Sequence, residues 1–296
     1  HDCAHRDRET KARQGLAHAF PMRVPACYYG TMTLFRAEHI AVSYLRDGAQ
    51  VPVLADEGFS LEAGHLYDLV GPSGAGKSTM LRACALMLER QAGELYLDEV
   101  PSSSFKPVEW RRRVCLVPQE PSLVPGNVRA NLVLPWTLKV NAGRKQPADE
   151  VLSRLLALAE LPDVALTRDV SQLSGGQAAR VALLRAFATA PEVLLLDEVD
   201  SALDAESACA VGRMTKALVG PRMTCLRIRH RAPDGFADGT YTLRAGELSY
   251  TENPPSSEDL PCAQGFDPAA YAALDALGGY AGSATGEGAA AERVRR

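Results

Sequence analysis

Residues 71–79 read GPSGAGKST, framed by an apolar run, LYDLV, and a helix-period stretch, KSTMLRACALMLER. The turn fits G-x-x-x-x-G-K-[ST], with Gly71, Gly76, Lys77 and Ser78 at the fixed positions. Such a strand–turn–helix unit, followed by further strands alternating with helices, argues for an α/β sheet core. RVCLVPQ, EVLLLDE and MTCLRIRH read as strands, and ADEVLSRLLALAEL at 148–161 as an amphipathic helix. EVLLLDE is apolar without a break, as expected of a strand buried on both faces of a parallel sheet. Between Leu34 and Leu97 the pattern is of short strands with turns, interrupted by one helix that ends near Gly93. Asp68 puts a charge where a strand should be buried, so it is expected either at a strand edge or in a local pair.

The glycine turn has a ligand written into it. Glycines let the backbone curl until its N–H groups point inward at a phosphate chain, and the positive end of the next helix adds to that field. Lys77 is expected to reach the β- and γ-phosphates and the Ser78 hydroxyl to ligate Mg²⁺, with Ser73, Gly74, Ala75 and Thr79 completing the lining. VLLLDEVD sets Asp197 and Glu198 at the carboxyl end of a buried strand, where open α/β sheets present their ligands. Asp197 suits Mg²⁺ held through water, and Glu198 suits proton transfer from an attacking water. Gln119, just past CLVP, can sense both the Mg²⁺ and the γ-phosphate. His230, at the end of CLRIRH, can contact that phosphate and hold water and Glu198 in position. Tyr44 fits two descriptions, a face for an adenine ring or a half-buried strand tyrosine.

A second glycine turn opens a helix at QLSGGQAARVALLRA, residues 172–186. Ser174 can cap that helix, leaving the N–H groups of Gly175 and Gly176 free for an anion. Lys77 and Asp197 already occupy one side of a nucleotide, so the economical geometry pairs two copies head to tail. Each ATP then lies between Lys77 of one copy and Ser174 of the other, and nucleotide binding becomes subunit association.

Composition bounds the rest. The formal net charge of −4 gives no reason to expect nucleic acid as a partner. Seven cysteines are scattered without a CxxC pair, which suits a reducing compartment better than a disulfide framework or a zinc site. No apolar run has the length of a membrane span. The opening HDCAHRDRETKARQ is charged and does not resemble a secretory signal. Patterned sequence begins near Met32, the expected natural start, so residues 1–31 read as an unstructured extension. Residues 32–250 read as one ATPase domain with a helical subdomain at about 127–172, and residues 251–296 as a linker and low-complexity tail.

Taken together, GPSGAGKST, Gln119, LSGGQ, VLLLDE, SALD (Ser201 to Asp204) and His230 closely resemble the ATP-binding subunit of ATP-binding-cassette transporters, from Thr33 to Ser249. That resemblance implies a P-loop ATPase core sheet with an antiparallel β subdomain and a helical subdomain. It implies Glu198 as catalytic base, Gln177 and Asp204 at the nucleotide interface, and a homodimer with ATP between its halves. It also implies a separate integral membrane permease, contacted by the helical subdomain and Gln119 at the inner face of the cell membrane. NVRANLVLPWTLK, LPDVALTRDVSQLSGGQ and VLLLDEVDSALD further resemble the Fet-type iron exporters, which also include a plant aluminium-tolerance ATPase. The alternative is a soluble cassette ATPase, as in iron–sulfur cluster assembly; the NL…PW stretch argues against it.

Overall fold

A computed structural model describes residues 33–46, 48–120 and 122–254, so the expectations for residues 1–31 and for 255–296 lie outside it. Two long strands, β1 (Thr33–Arg46) and β2 (Ala49–Glu62), pair antiparallel, and β4 (Ala92–Leu97) and β5 (Val100–Pro101) extend them in the order β2-β1-β4-β5. The second sheet contains β3 (Leu66–Val70), β6 (Val114–Val117), β7 (Val193–Leu196), β8 (Thr224–Ile228), β9 (Gly239–Arg244) and β10 (Glu247–Glu252). Its order is β10-β9-β3-β8-β7-β6, parallel from β9 to β6, with β10 returning antiparallel at the edge. All four residues of β7 are buried, as its unbroken apolar run requires.

In the sequence the antiparallel sheet reads as several short strands because its alternation is broken. The β1–β2 register shifts repeatedly between Ala37 and Ser43, and His39 within that stretch takes φ 53. Each bulge moves the next side chain to the other face, so period-2 counting fails across it. The apolar faces still converge: Phe35, Leu54 and Leu61 pack with Leu69, Met80, Leu81 and Trp110 between the sheets.

Helix α1 (Lys77–Cys84) stops well short of Gly93 although the helical period continues. Leu86 takes φ 53, and the N–H groups of Leu86 and Met87 turn back to the carbonyls of Ala83 and Arg82. That is the left-handed termination usually given to glycine. Trp110, on α2 (Pro107–Arg113), donates its indole N–H to the Cys84 carbonyl at 2.8 Å, satisfying a helix end that is otherwise buried.

The helical region holds α3 (Val128–Val133), α4 (Asp149–Leu158) and short 3₁₀ turns, followed by α5 (Gly175–Phe187). Leu132, Leu152, Leu155 and Leu156 join Val181 and Leu184 of α5 in a second core, which reaches Leu194 and Leu196 of β7. Helix α6 (Ala205–Leu218) completes the layer.

Asp68 lies at no edge, since β3 runs between β8 and β9. Its register partner on β8 is Arg227, whose Nε donates to Oδ1 at 2.6 Å; Arg227 also donates to Asp234 at 2.7 Å. The charge that stands out in β3 is thus answered by a buried arginine in β8. Burial alone lowers the Arg227 pKa, but Asp68 and Asp234 more than reverse this and keep the guanidinium charged. Asp68→Ala leaves a buried cation short of an anion, and is expected to lower stability by about 3–5 kcal/mol in urea unfolding. A loss below about 1 kcal/mol would show that Asp234 alone suffices for Arg227.

Candidate active site

Because β3, β8, β7 and β6 are parallel, their carboxyl ends share one edge, and the chemistry collects there. Gly71 follows β3, Gln119 lies two residues beyond β6, Asp197 and Glu198 follow β7, and His230 lies two beyond β8.

The 71–79 turn is shaped by two glycines. Gly71, at φ 150, presses on the Leu243 carbonyl, where no Cβ fits. Gly76, at φ 101, is the residue before α1, and a Cβ on it would stand 2.8 Å from Val53. No side chain caps α1 and no acidic residue occupies its first turn, so its N–H groups remain available to an anion. Ser73 and Gly74 are exposed, and Ala75 is half-buried, with its N–H on the Pro72 carbonyl at 3.2 Å. Lys77 is buried and donates to the Gly71 and Pro72 carbonyls at 2.9 and 3.0 Å. Burial lowers its pKa, opposed by the nearby Glu198 and Asp197 carboxylates.

Ser78 Oγ donates to Asp197 Oδ1 at 2.7 Å, and Arg82 lies 3.8 Å from Oδ2 of the same carboxylate. Glu198 is held from both sides: His230 Nε2 is 2.7 Å from Oε1, and Gln119 Nε2 donates to Oε2 at 3.2 Å. Gln119 also approaches Ser201 Oγ at 3.4 Å. Residues 79 and 111 positions apart in sequence, 119 with 198 and 230, thereby form one connected group. The Tyr44 hydroxyl is 3.3 Å from Thr79 Oγ1, and the residue is 41% exposed. It therefore borders the glycine turn with much of its surface exposed, a position compatible with both sequence readings.

The second glycine turn is built separately. Ser174 accepts from the Gln177 N–H while the Gln177 side chain accepts from the Ser174 N–H, a reciprocal cap at the start of α5. Nothing lies near the Cβ position of Gly175, whereas Gly176 abuts Ser207 of α6. Asp204 caps α6 through the Ser207 N–H at 2.9 Å. Among the described residues, Ser174, Gly175, Gly176 and Gln177 make no hydrogen bond or ion pair with the Lys77, Asp197 and Glu198 group.

Sequence reasoning overlooked Asp200, Arg229, Arg231 and Asp234. Nothing local to Arg229 and Arg231 points to Asp200, which lies past the end of β7 and which both of them meet.

A parallel sheet with this glycine turn at its carboxyl edge, an antiparallel sheet beside it and a helical subdomain is the fold of an ATP-binding-cassette ATPase. Residues 54–201 match the ABC transporter family, and the chain belongs to it as an ATP-hydrolysing nucleotide-binding domain. It is 35% identical over 211 residues to the "Probable iron export ATP-binding protein FetA" of Escherichia coli (strain K12), covering 70% of this chain and 91% of that protein. It is 34% identical to the Multidrug resistance protein pgp-1 of Caenorhabditis elegans over 62% of this chain, but spans only 14% of that longer protein. Among solved structures, a dimer described as a post-hydrolysis state of the ATP-binding cassette MJ0796 bound to ADP and Pi superposes with a TM-score of 0.63 and 26% identity. That alignment covers 74% of this chain and 98% of the other. Among the described residues, no helix is long and apolar enough to cross a membrane.

Proposed function

We propose that this ATPase works as a homodimer on a separate integral membrane permease, at the inner face of the cell membrane, and powers export of a metal ion, iron in particular. The observation that carries the reading is the similarity to FetA across nearly the whole of that protein. Pairing is supported by the separation of the two glycine turns, each opening a helix whose N–H groups can take an anion. The MJ0796 dimer supplies a precedent for two cassettes holding nucleotide products.

In this reading the α1 turn and Lys77 bind the phosphates, with Ser174, Gly175 and Gly176 of the partner copy closing the other side. The Ser78 hydroxyl and Asp197 carboxylate are hard oxygen donors at 2.7 Å from each other, which suits Mg²⁺. Mg²⁺, when bound, neutralises charge on the β- and γ-phosphate oxygens. Glu198 takes a proton from the water that attacks the γ-phosphorus. His230 and Gln119 orient it, one on each carboxylate oxygen. Tyr44 offers its exposed face to the adenine, and Asp204 sits at the subunit boundary as the cap of α6.

The test is a pull-down from native membranes with tagged Glu198→Gln and MgATP. A multi-span membrane protein co-eluting at near-equal stoichiometry is expected. Recovery of soluble assembly proteins alone would overturn both the permease and the export reading.

A further inference from the structure

Strand β8 ends at Ile228, and Arg229, His230 and Arg231 follow in a row. His230 turns to Glu198, while the two arginines turn to the segment immediately after Glu198. Arg231 Nε donates to the Asp200 carbonyl at 3.2 Å, and its Nη2 donates to the Leu203 carbonyl. Arg229 is 6% exposed, and its Nε lies 3.6 Å from the Asp200 carboxylate; Nη1 pairs with Asp234 and Nη2 donates to the Ala232 carbonyl. Residues 198–203 form a tight turn of their own, Ser201 N–H to the Glu198 carbonyl at 3.0 Å and Leu203 N–H to the Asp200 carbonyl at 3.3 Å.

The turn has reason to need holding. Glu198 takes φ 52, a left-handed conformation that strains a residue with a Cβ and relaxes unless its surroundings fix it. Its side chain is tied to His230 by one partly exposed contact. Behind it stands a charged cluster: Asp200, Arg227, Arg229 and Asp234 are each under 10% exposed. Burial pushes the Asp234 carboxyl upward, but Arg227 and Arg229 outweigh it and hold Asp234 below the ordinary carboxylate range. Asp234 therefore stays ionised between the two guanidinium groups. Arg231 itself is half-buried and makes its two bonds to backbone oxygens, so it fixes the path of the turn and not its charge.

We propose that Arg231, backed by the Arg229–Asp200 pair, is a positioning residue for hydrolysis: it clamps the 200–203 turn to the end of β8 and so sets Glu198 against His230. The proposal rests on the reading of Glu198 and His230 as the hydrolytic pair. Neither arginine makes a bond to Lys77, Ser78 or Asp197, so the phosphate-binding turn has no direct stake in the clamp.

The purified full chain tests it through MgATP turnover, fluorescent-nucleotide binding and thermal melting. Arg231→Ala is expected to lower kcat about tenfold or more, since displacing a catalytic group slightly is costly. KM and nucleotide affinity stay within about twofold of wild type. Arg231→Lys, whose ammonium can meet one of the two carbonyls, recovers part of the lost kcat. A kcat within about twofold of wild type for Arg231→Ala overturns the proposal. So does a fall in kcat matched by equal loss of affinity and a lowered melting temperature, which marks a merely structural arginine. Glu198→Gln run beside it separates the two claims. Full turnover in that variant removes the hydrolytic pair itself, whereas an inactive Glu198→Gln with an unaffected Arg231→Ala removes only the clamp.

Discussion

Glu198→Gln is expected to bind ATP as the wild type does and to hydrolyse it about 10²–10⁴ times more slowly, the range by which a positioned general base contributes. Glutamine keeps the length and shape of the side chain and one oxygen to face His230 or Gln119, so the connected group can persist. What it loses is the carboxylate that takes a proton. The left-handed backbone at 198 is no harder for glutamine than for glutamate. Fold and affinity should therefore hold while chemistry stops, and ATP should accumulate between two copies, seen as a dimer in gel filtration with MgATP. Turnover within severalfold of wild type would remove Glu198 as the base.

Lys77→Ala is expected to fail at the earlier step. The ammonium has three N–H bonds; two go to the Gly71 and Pro72 carbonyls, which leaves one for a phosphate oxygen. A buried, charge-assisted contact of this kind costs about 2–5 kcal/mol when truncated, which weakens binding roughly thirtyfold to several thousandfold. The carbonyls left behind belong to half-buried Gly71 and exposed Pro72, where water can replace the lysine, so folding should not suffer. Retention on an ATP-affinity resin equal to wild type would contradict the placement of Lys77 on the phosphates. The two variants differ in kind: one should bind without turning over, the other should not bind.

The stretches that announced themselves in the sequence are those whose meaning is local. GPSGAGKST, VLLLDE and LSGGQ each carry strand–turn–helix order, burial or helix capping within about ten residues, and the parallel sheet follows from them. Two local inferences failed. The period through Leu88 continues past the end of α1, but the stop is made by Leu86 in a glycine-like conformation and by an indole 26 residues away. The bulged β1–β2 pair hides its length because its alternation changes phase. Asp68 and Arg227 were illegible for a different reason. Each is anomalous in its own strand, and only a register connecting positions 159 residues apart shows that they answer one another. The same holds for Asp200, Arg229 and Arg231, whose bonds cross from one strand end to the next.

The backbone at residue 198 has a bearing on lineage as well as mechanism. A glutamate stands where φ is 52, a conformation that glycine or asparagine adopts with less strain. Selection for a sturdier fold and selection for turnover therefore pull in opposite directions at this one position. In a descendant that had lost its need for hydrolysis, nothing in the local backbone would resist replacement there. On the proposed role of Glu198 as the base, decay of the enzyme would begin there, with the fold left intact as a nucleotide-holding shell.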